Sequence, residues 1–237
     1  MRYTEFRRRV PGAMLGVLML LTGVNAHASM ALSNVIVHFE PGQPTRQDID
    51  VENLGDEPLY VAIKPHVVHN PGTHRERREL IRDPRAAGLL VTPNRLVIAP
   101  GARKRLRLVN LNPGASDERV YRVAVTPVVG ELTAEQSGLK VLIGYEVLVL
   151  AQPTTPSPDL LAQRIGGALH FENRGNTNVL LREGHQCTSV DAPLDTCTPL
   201  ASKRLYPGNR WQLELDSELP VIYHLGTGTQ NRVVHYE

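Results

Sequence analysis

Short apolar runs with polar residues at alternate positions fill the chain after residue 29. The runs are rich in valine, leucine and isoleucine, are separated by Gly, Pro, Asn and Asp, and recur about every 10 to 15 residues, as in antiparallel sandwich sheets. No stretch after Val24 keeps a helical period over three turns. The pattern therefore predicts an all-β chain. The predicted strands are 35–39, 48–53, 59–68, 89–93, 95–98, 103–109, 120–129, 168–173, 179–183, 203–207, 210–215, 221–225 and 232–236.

The most regular alternation is GLKVLIGYEVLVLAQP, residues 138–153, whose odd positions are all apolar. Because alternate residues of a strand lie on opposite faces, this row occupies one side of the last strand of its sheet. The row either packs into its own core or in part faces outward for a partner, and the pattern leaves both open. Leu139, Val141 and Ile143 come before any of the charges, prolines or bulges that guard exposed edges. Such an edge could also pair with a second copy of this chain.

A proline-rich segment divides the predicted strands into two groups. AQPTTPSPD, residues 151–159, contains Pro153, Pro156 and Pro158 and has the composition of a stiff linker. The sequence therefore predicts two immunoglobulin-like β-sandwich domains, residues 29–152 and 153–237.

The first 28 residues have the order of a secretory signal peptide. MRYTEFRRRV is basic, residues 13–24 are a short apolar run, and Ala26-His27-Ala28 supplies the small residues of a cleavage site. The apolar run is shorter than the roughly 18 residues of a spanning helix, so we expect no membrane insertion. The mature chain is expected to begin near Ser29 and to be exported to the periplasm.

Removal of this leader changes the charge balance. The whole chain has 26 basic and 24 acidic side chains, and the leader contains four arginines and Glu5, which leaves 22 basic and 23 acidic. Without a basic excess, a nucleic-acid partner is not expected.

Both cysteines, Cys187 and Cys197, lie in the second predicted domain. In an exported chain, two cysteines in one short stretch most simply form a local disulfide. No C-x-x-C redox motif is present.

Motifs of hydrolases, nucleotide-binding loops and zinc peptidases are absent from the sequence, so no enzyme is predicted. His66, His69 and His74 are the only candidate metal cluster, but two histidines three apart on a strand point to opposite faces. The basic run Arg103–Arg107 alternates with leucines and predicts a strand with one solvated face; a docking stripe for an acidic partner is the alternative. The mixed-sign run 74–79 predicts a solvated loop.

Several motifs in order resemble the periplasmic pilus-assembly chaperones of the PapD-like superfamily. They are NPGT (70–73), GLLVTPNRLVIAPGARKRLRL (88–108), ERVYRVAVTPV (118–128), the alternating strand with its proline elbow, and NRGNTNVLL (173–181) before the cysteine pair. Within the superfamily, the chain is most similar to the alternate type that serves colonization-factor antigen fimbriae.

The resemblance implies two immunoglobulin-like domains in an L or boomerang arrangement, with no catalysis and no cofactor. The partners it implies are pilin subunits, which lack one strand, and an outer-membrane usher. By this resemblance, Leu139, Val141, Ile143 and Tyr145 belong to a donor strand that fills the subunit groove, in the manner of strand addition.

The sequence departs from PapD-like members at the residues that bind the subunit's terminal carboxylate. Those members use an arginine in the first strand and a lysine in the last, where this chain has Val35, Ile36 and Leu148. Arg122 is the best replacement, since a guanidinium binds a carboxylate through two parallel bonds, and Lys140 is the second candidate. An outward strand residue without this role is the other interpretation of Arg122.

Two rival functions remain. The first is a structural fimbrial or adhesion subunit with the same sandwich core, although such a subunit should carry a free alternating arm at its mature N-terminus. The second is a metal-dependent hydrolase, which would rest on the three histidines alone.

Overall fold

A computed structural model describes residues 30–128, 142–189, 192–228 and 230–237. The first half contains ten strands and one short helix within these ranges. The strands are β1 (Met30–Leu32), β2 (Ile36–Phe39), β3 (Arg46–Asn53), β4 (Leu59–His69), β5 (Arg77–Leu80), β6 (Leu89–Thr92), β7 (Arg95–Ile98), β8 (Arg103–Asn110), β9 (Arg119–Val128) and β10 (Tyr145–Ala151), and the helix is α1 (Pro84–Ala87).

The described part of the second half contains eight more strands and a single 3-10 turn, Leu194–Thr196. The strands are β11 (Leu160–Ile165), β12 (Ala168–Asn173), β13 (Val179–Gln186), β14 (Thr198–Leu200), β15 (Lys203–Leu205), β16 (Arg210–Glu214), β17 (Val221–Thr227) and β18 (Gln230–Tyr236). No helix among the described residues has the length and apolarity that a membrane crossing requires.

The strands form two sandwiches of two sheets each. In the first, β1-β3-β8-β6 faces β2-β10-β9-β4-β5, with β7 also paired to β4. In the second, β11-β12-β16 faces β14-β13-β17-β18, with β15 paired to β13. The fold predicted from the sequence, two immunoglobulin-like sandwiches, is confirmed.

The first core follows from strand periodicity. Ile49 and Val51 of β3, and Leu106 and Leu108 of β8, are fully buried at alternate positions. Facing them are the inward rows of the second sheet, which include Val123 of β9. About 20 side chains are buried in this core, and burial of each large one gains roughly 1.5 to 3 kcal/mol. This burial stabilises the sandwich without residues from outside it.

The second core is more aromatic. Phe171 stacks on Trp211, with 5.3 Å between ring centroids, and meets Tyr223 and Tyr236 edge-on. Around these rings lie aliphatic residues of β12, β13, β15 and β17. Offset and edge-to-face rings add specific geometry to the burial of apolar area.

One buried asparagine closes a loop in each sandwich in the same way. The Nδ2 of Asn53 donates to the carbonyls of Glu57 and Ile98, and its Oδ1 accepts from the amide of Gly55. Asn173 makes the equivalent bonds in the second sandwich, to Thr177, Leu205 and Gly175. Both asparagines end a strand and stand two residues before a glycine, which explains part of the NRGNTNVLL motif.

The predicted strands are all present, but β1 and β14 were not predicted, and three further features differ from the sequence predictions. Residues 77–80 form the edge strand β5 instead of a loop, although all four are exposed. β11 follows directly on the predicted linker and was not predicted. Residues 142–144 are not in a strand, so the described part of the long alternating segment is a strand only from Tyr145.

Candidate functional site

The odd row of the alternating segment divides at Tyr145. Val147 and Val149 are completely buried in the first core, whereas Ile143 is 50% exposed. Tyr145 packs against the edge of that core, and its hydroxyl donates to the carbonyl of Met30 at 3.0 Å. In the free chain Tyr145 thus belongs to its own sandwich. Leu139 and Val141 lie outside the described residues.

The edge of β10 is only partly covered. β9 pairs antiparallel with β10 along its whole length, from Tyr145 to Ala151. On the other side, β2 pairs in parallel only with Leu148–Ala151, and the amide of Leu148 donates to Val35. No described strand lies beside the outer edge of residues 145–147. An added strand could therefore pair there and would abut Val35 and Ile36, which are about half exposed.

The outward face of β10, β9 and β4, here termed the outer face, carries Arg122. Cross-strand neighbours of Arg122 are Leu148 on β10 and His66 on β4. Arg122 is half-buried and makes no hydrogen bond or ion pair with a residue in the described ranges. Within those ranges, its guanidinium remains available to a carboxylate. Lys140, the second candidate for this role, lies outside the described residues.

At the end of the outer face nearest the second sandwich, the side chains become apolar. Val68, Val120, Leu148 and Leu150 form one buried cluster with Tyr206, which comes from the second sandwich. Leu148, at the position where PapD-like members have lysine, is therefore a packing residue between the two sandwiches. Burial raises the pKa of the Tyr206 phenol, which keeps this ring neutral.

A carboxylate of the first sandwich also contacts the second. Glu118 Oε2 accepts hydrogen bonds from the Thr177 hydroxyl at 2.8 Å and from the Asn178 amide and side chain at 3.1 and 2.6 Å. Arg204 donates to Asn178 Oδ1. Burial raises the pKa of the Glu118 carboxyl, against the opposing effects of the Asn178 and Thr177 hydrogen bonds and the Arg204 charge. This network holds the start of β9 against the start of β13.

The NPGT loop makes the third contact between the sandwiches. Gly72 has φ +71°, and a Cβ there would lie 2.6 Å from Asn209 Oδ1 and 3.0 Å from the Tyr206 ring. The Nδ2 of Asn209 donates to the carbonyl of Pro71 at 3.1 Å. The motif therefore needs glycine both for its backbone conformation and for this close approach.

The predicted disulfide is present between Cys187 and Cys197. It joins the end of β13 to the start of β14, and Cys187 is buried beneath it. This position, away from the outer face, fits a structural role.

The candidate metal cluster and the basic stripe have simpler explanations. His69 lies 3.2 Å from Glu79, and no group of three or more potential metal ligands occurs in the described ranges. In the basic run, Leu106 and Leu108 are buried, and the arginines lie opposite acidic residues of the neighbouring strand β3. Arg107 makes two bonds to Asp48, which lower the pKa of that carboxyl. The prediction of one solvated face is confirmed, and its charges are largely matched within the sheet.

Comparison with known proteins shows that chaperones of fimbrial assembly share this fold. No family model matches the chain. The crystal structure of the class 5 fimbriae chaperone CfaA is similar, with a TM-score of 0.64 and 23% identity over 88% of this chain and 99% of that chain. A chain from the Salmonella enterica SafA pilin–SafB chaperone complex gives a TM-score of 0.60 and 16% identity, covering 89% of this chain and 96% of that chain.

Sequence comparison finds proteins named as fimbrial subunits. The chain is 27% identical over 169 residues to a CS1 fimbrial protein of Escherichia coli, named as a subunit of those fimbriae, and the match covers 68% of this chain and 71% of that protein. The resemblance to pilus-assembly chaperones stated from the motifs is thus confirmed at the level of the whole fold.

Proposed function

We propose that this chain is a periplasmic chaperone of fimbrial subunits. It would receive a subunit after export, complete the subunit's sandwich with its own strand, and deliver it to an outer-membrane usher. The observation that carries the proposal is the division of the odd row at Tyr145. Downstream residues complete the chain's own core, and Ile143, the described apolar residue upstream, is half exposed. The shared fold with the chaperones CfaA and SafB supports it.

In this mechanism Leu139, Val141 and Ile143 fill the subunit groove while the adjacent backbone pairs with its strands. Burial of three aliphatic side chains gains about 5 to 9 kcal/mol. Association costs roughly 4 to 15 kcal/mol, so main-chain hydrogen bonds and a charged contact must add to the free energy gained by burial. Arg122 supplies that contact by binding the subunit's terminal carboxylate. Release needs no fuel if the next subunit's arm fits the groove better.

The proposal includes the chain's processing and its domain division. Residues 1–28 would be cleaved as the export signal, residues 29–152 would form the donor domain, and residues 153–237 the second domain. Determination of the N-terminus of protein recovered from the periplasm tests this part; a start away from residue 29 would contradict it.

The alternative is a structural fimbrial subunit, the role that the name of the CS1 relative suggests. A polymerising subunit needs a free N-terminal arm to donate. Here Met30–Leu32 are already paired with Val51–Asn53 of β3. Because this segment is paired within its own sheet, the structure favours the chaperone function over that of a structural subunit.

A charge in the donor row tests the mechanism. We expect Val141→Glu to abolish co-purification with a co-expressed exported fimbrial subunit, because an unpaired carboxylate in a dry groove costs several kcal/mol. Val141→Leu, which keeps an apolar side chain, is the matched control and should retain capture. Thermal melting of the free protein should be the same for both. Normal capture by Val141→Glu would refute strand donation.

A further inference from the structure

An ion pair spans the outer face of the first sandwich. Arg78 Nη1 lies 2.6 and 2.7 Å from the two carboxylate oxygens of Glu146. Arg78 belongs to β5 and Glu146 to β10, and the strands β9 and β4 lie between them in the sheet. The contact joins residues 68 positions apart, so it does not arise from local chain geometry.

Strand register locates the residues beneath this pair. Glu146 is opposite Ala124, and Leu148, two residues further along, is opposite Arg122. Arg122 is opposite His66, and Val68, two residues further along β4, is opposite Arg78. A line from Glu146 to Arg78 therefore runs diagonally across the sheet, above Arg122 and His66. The registers therefore place the Arg78–Glu146 pair on the same part of the sheet as Arg122, the residue proposed to bind the subunit's carboxylate.

Charge on this face is not balanced. Arg78, Arg122 and Lys64 lie on it, and both described carboxylates there pair with Arg78: Glu146, and Glu76 at 3.6 Å. His66 Nδ1, also beneath the pair, is buried without a hydrogen-bond partner there. The face is therefore suited to one more carboxylate, since an arginine binds a carboxylate through strong charge-assisted hydrogen bonds.

We propose that Arg78 is a second carboxylate-binding residue of the subunit anchor, and that Glu146 occupies it in the free chain. Arrival of the subunit's terminal carboxylate displaces Glu146 from Arg78, so that Arg78 and Arg122 hold the incoming group together. This inference rests on the proposed chaperone function.

Removal of the internal carboxylate tests the exchange. The probe is an exported fimbrial subunit, prepared with its native terminal carboxylate and with a terminal amide. We expect Glu146→Gln to bind the carboxylate form up to about fivefold more tightly, the scale of an exposed ion pair, and the amide form as wild type does. Arg78→Gln should weaken binding of the carboxylate form alone, and Arg78→Lys should recover part of the loss because it restores the charge.

Each other result overturns the inference. If Glu146→Gln and Arg78→Gln weaken both forms equally, the pair is a strut that positions β10. If neither variant changes either affinity, the pair is an ordinary exposed contact. If the wild-type chain captures neither form, the chaperone function itself fails, which distinguishes that failure from loss of the exchange alone.

Discussion

Replacement of Ile143 by alanine should weaken subunit capture and leave the chaperone folded. Half of this residue is exposed in the free chain, so capture has about half of its side chain left to bury. Full burial of an isoleucine is worth roughly 1.5 to 3 kcal/mol, and the remaining half is therefore worth about 0.8 to 1.5 kcal/mol. The expected loss of affinity is about 4- to 13-fold.

Val149→Ala is the matched control, since Val149 lies on the same row but is completely buried in the first core. Two methyl groups are lost there, at about 0.8 kcal/mol each plus a cavity term, so the free energy of unfolding should fall by about 2 kcal/mol. Isothermal titration with the subunit and urea unfolding measure the two effects. If Ile143→Ala lowers stability as much as Val149→Ala and leaves affinity unchanged, the division of the row at Tyr145 is wrong.

Three further predictions concern the contacts around this site. Because burial raises the folded pKa of Glu118 above its unfolded value, its contribution to stability is present at low pH and is lost as pH rises through that folded pKa. The free energy of unfolding of wild type, relative to that of Glu118→Gln, should therefore rise as pH falls through the acidic range. A difference that does not change with pH would contradict this prediction. Gly72→Ala should destabilise the packing of the two sandwiches by about 1 to 3 kcal/mol, because its Cβ meets Asn209; small-angle scattering and melting check this, and an unchanged profile in both would contradict it. Replacement of Cys187 and Cys197 by serine should cost about 3 kcal/mol of unfolding free energy and leave subunit affinity unchanged below the melting transition; lost affinity in the folded variant would contradict a purely structural role.

Alternation was sufficient to predict most of the fold. Leu106 and Leu108 indicate the buried side of β8 because strand period and core face coincide there. β5 could not be found in this way, since its residues Arg77–Leu80 are all exposed and its order comes from main-chain pairing with β4. Pairing of that kind leaves no apolar signature.

The site was harder to predict than the fold. The donor row is continuous in sequence, so nothing in the pattern marks Tyr145 as the residue where the core ends. Tyr145 is held by its hydroxyl bond to Met30 and by its pairing with Val125 of β9, and both partners are distant in the sequence. The pairing of Arg78 with Glu146 and the contacts of Glu118 with Thr177 and Asn178 join positions more than 50 residues apart. Single arginines and glutamates at such separations carry no pattern of their own.

The single row that runs from Ile143 outside the core to Ala151 inside it also limits how such a chain can change length. Insertion of one residue at Gly144 would turn the upstream apolar side chains to the opposite face while Val147 and Val149 stayed in place. Insertion of two residues would return the upstream side chains to their original face and only move them about 7 Å further along the strand. Relatives should therefore differ in length here by even numbers of residues, and an odd change should be accompanied by a bulge that restores the phase.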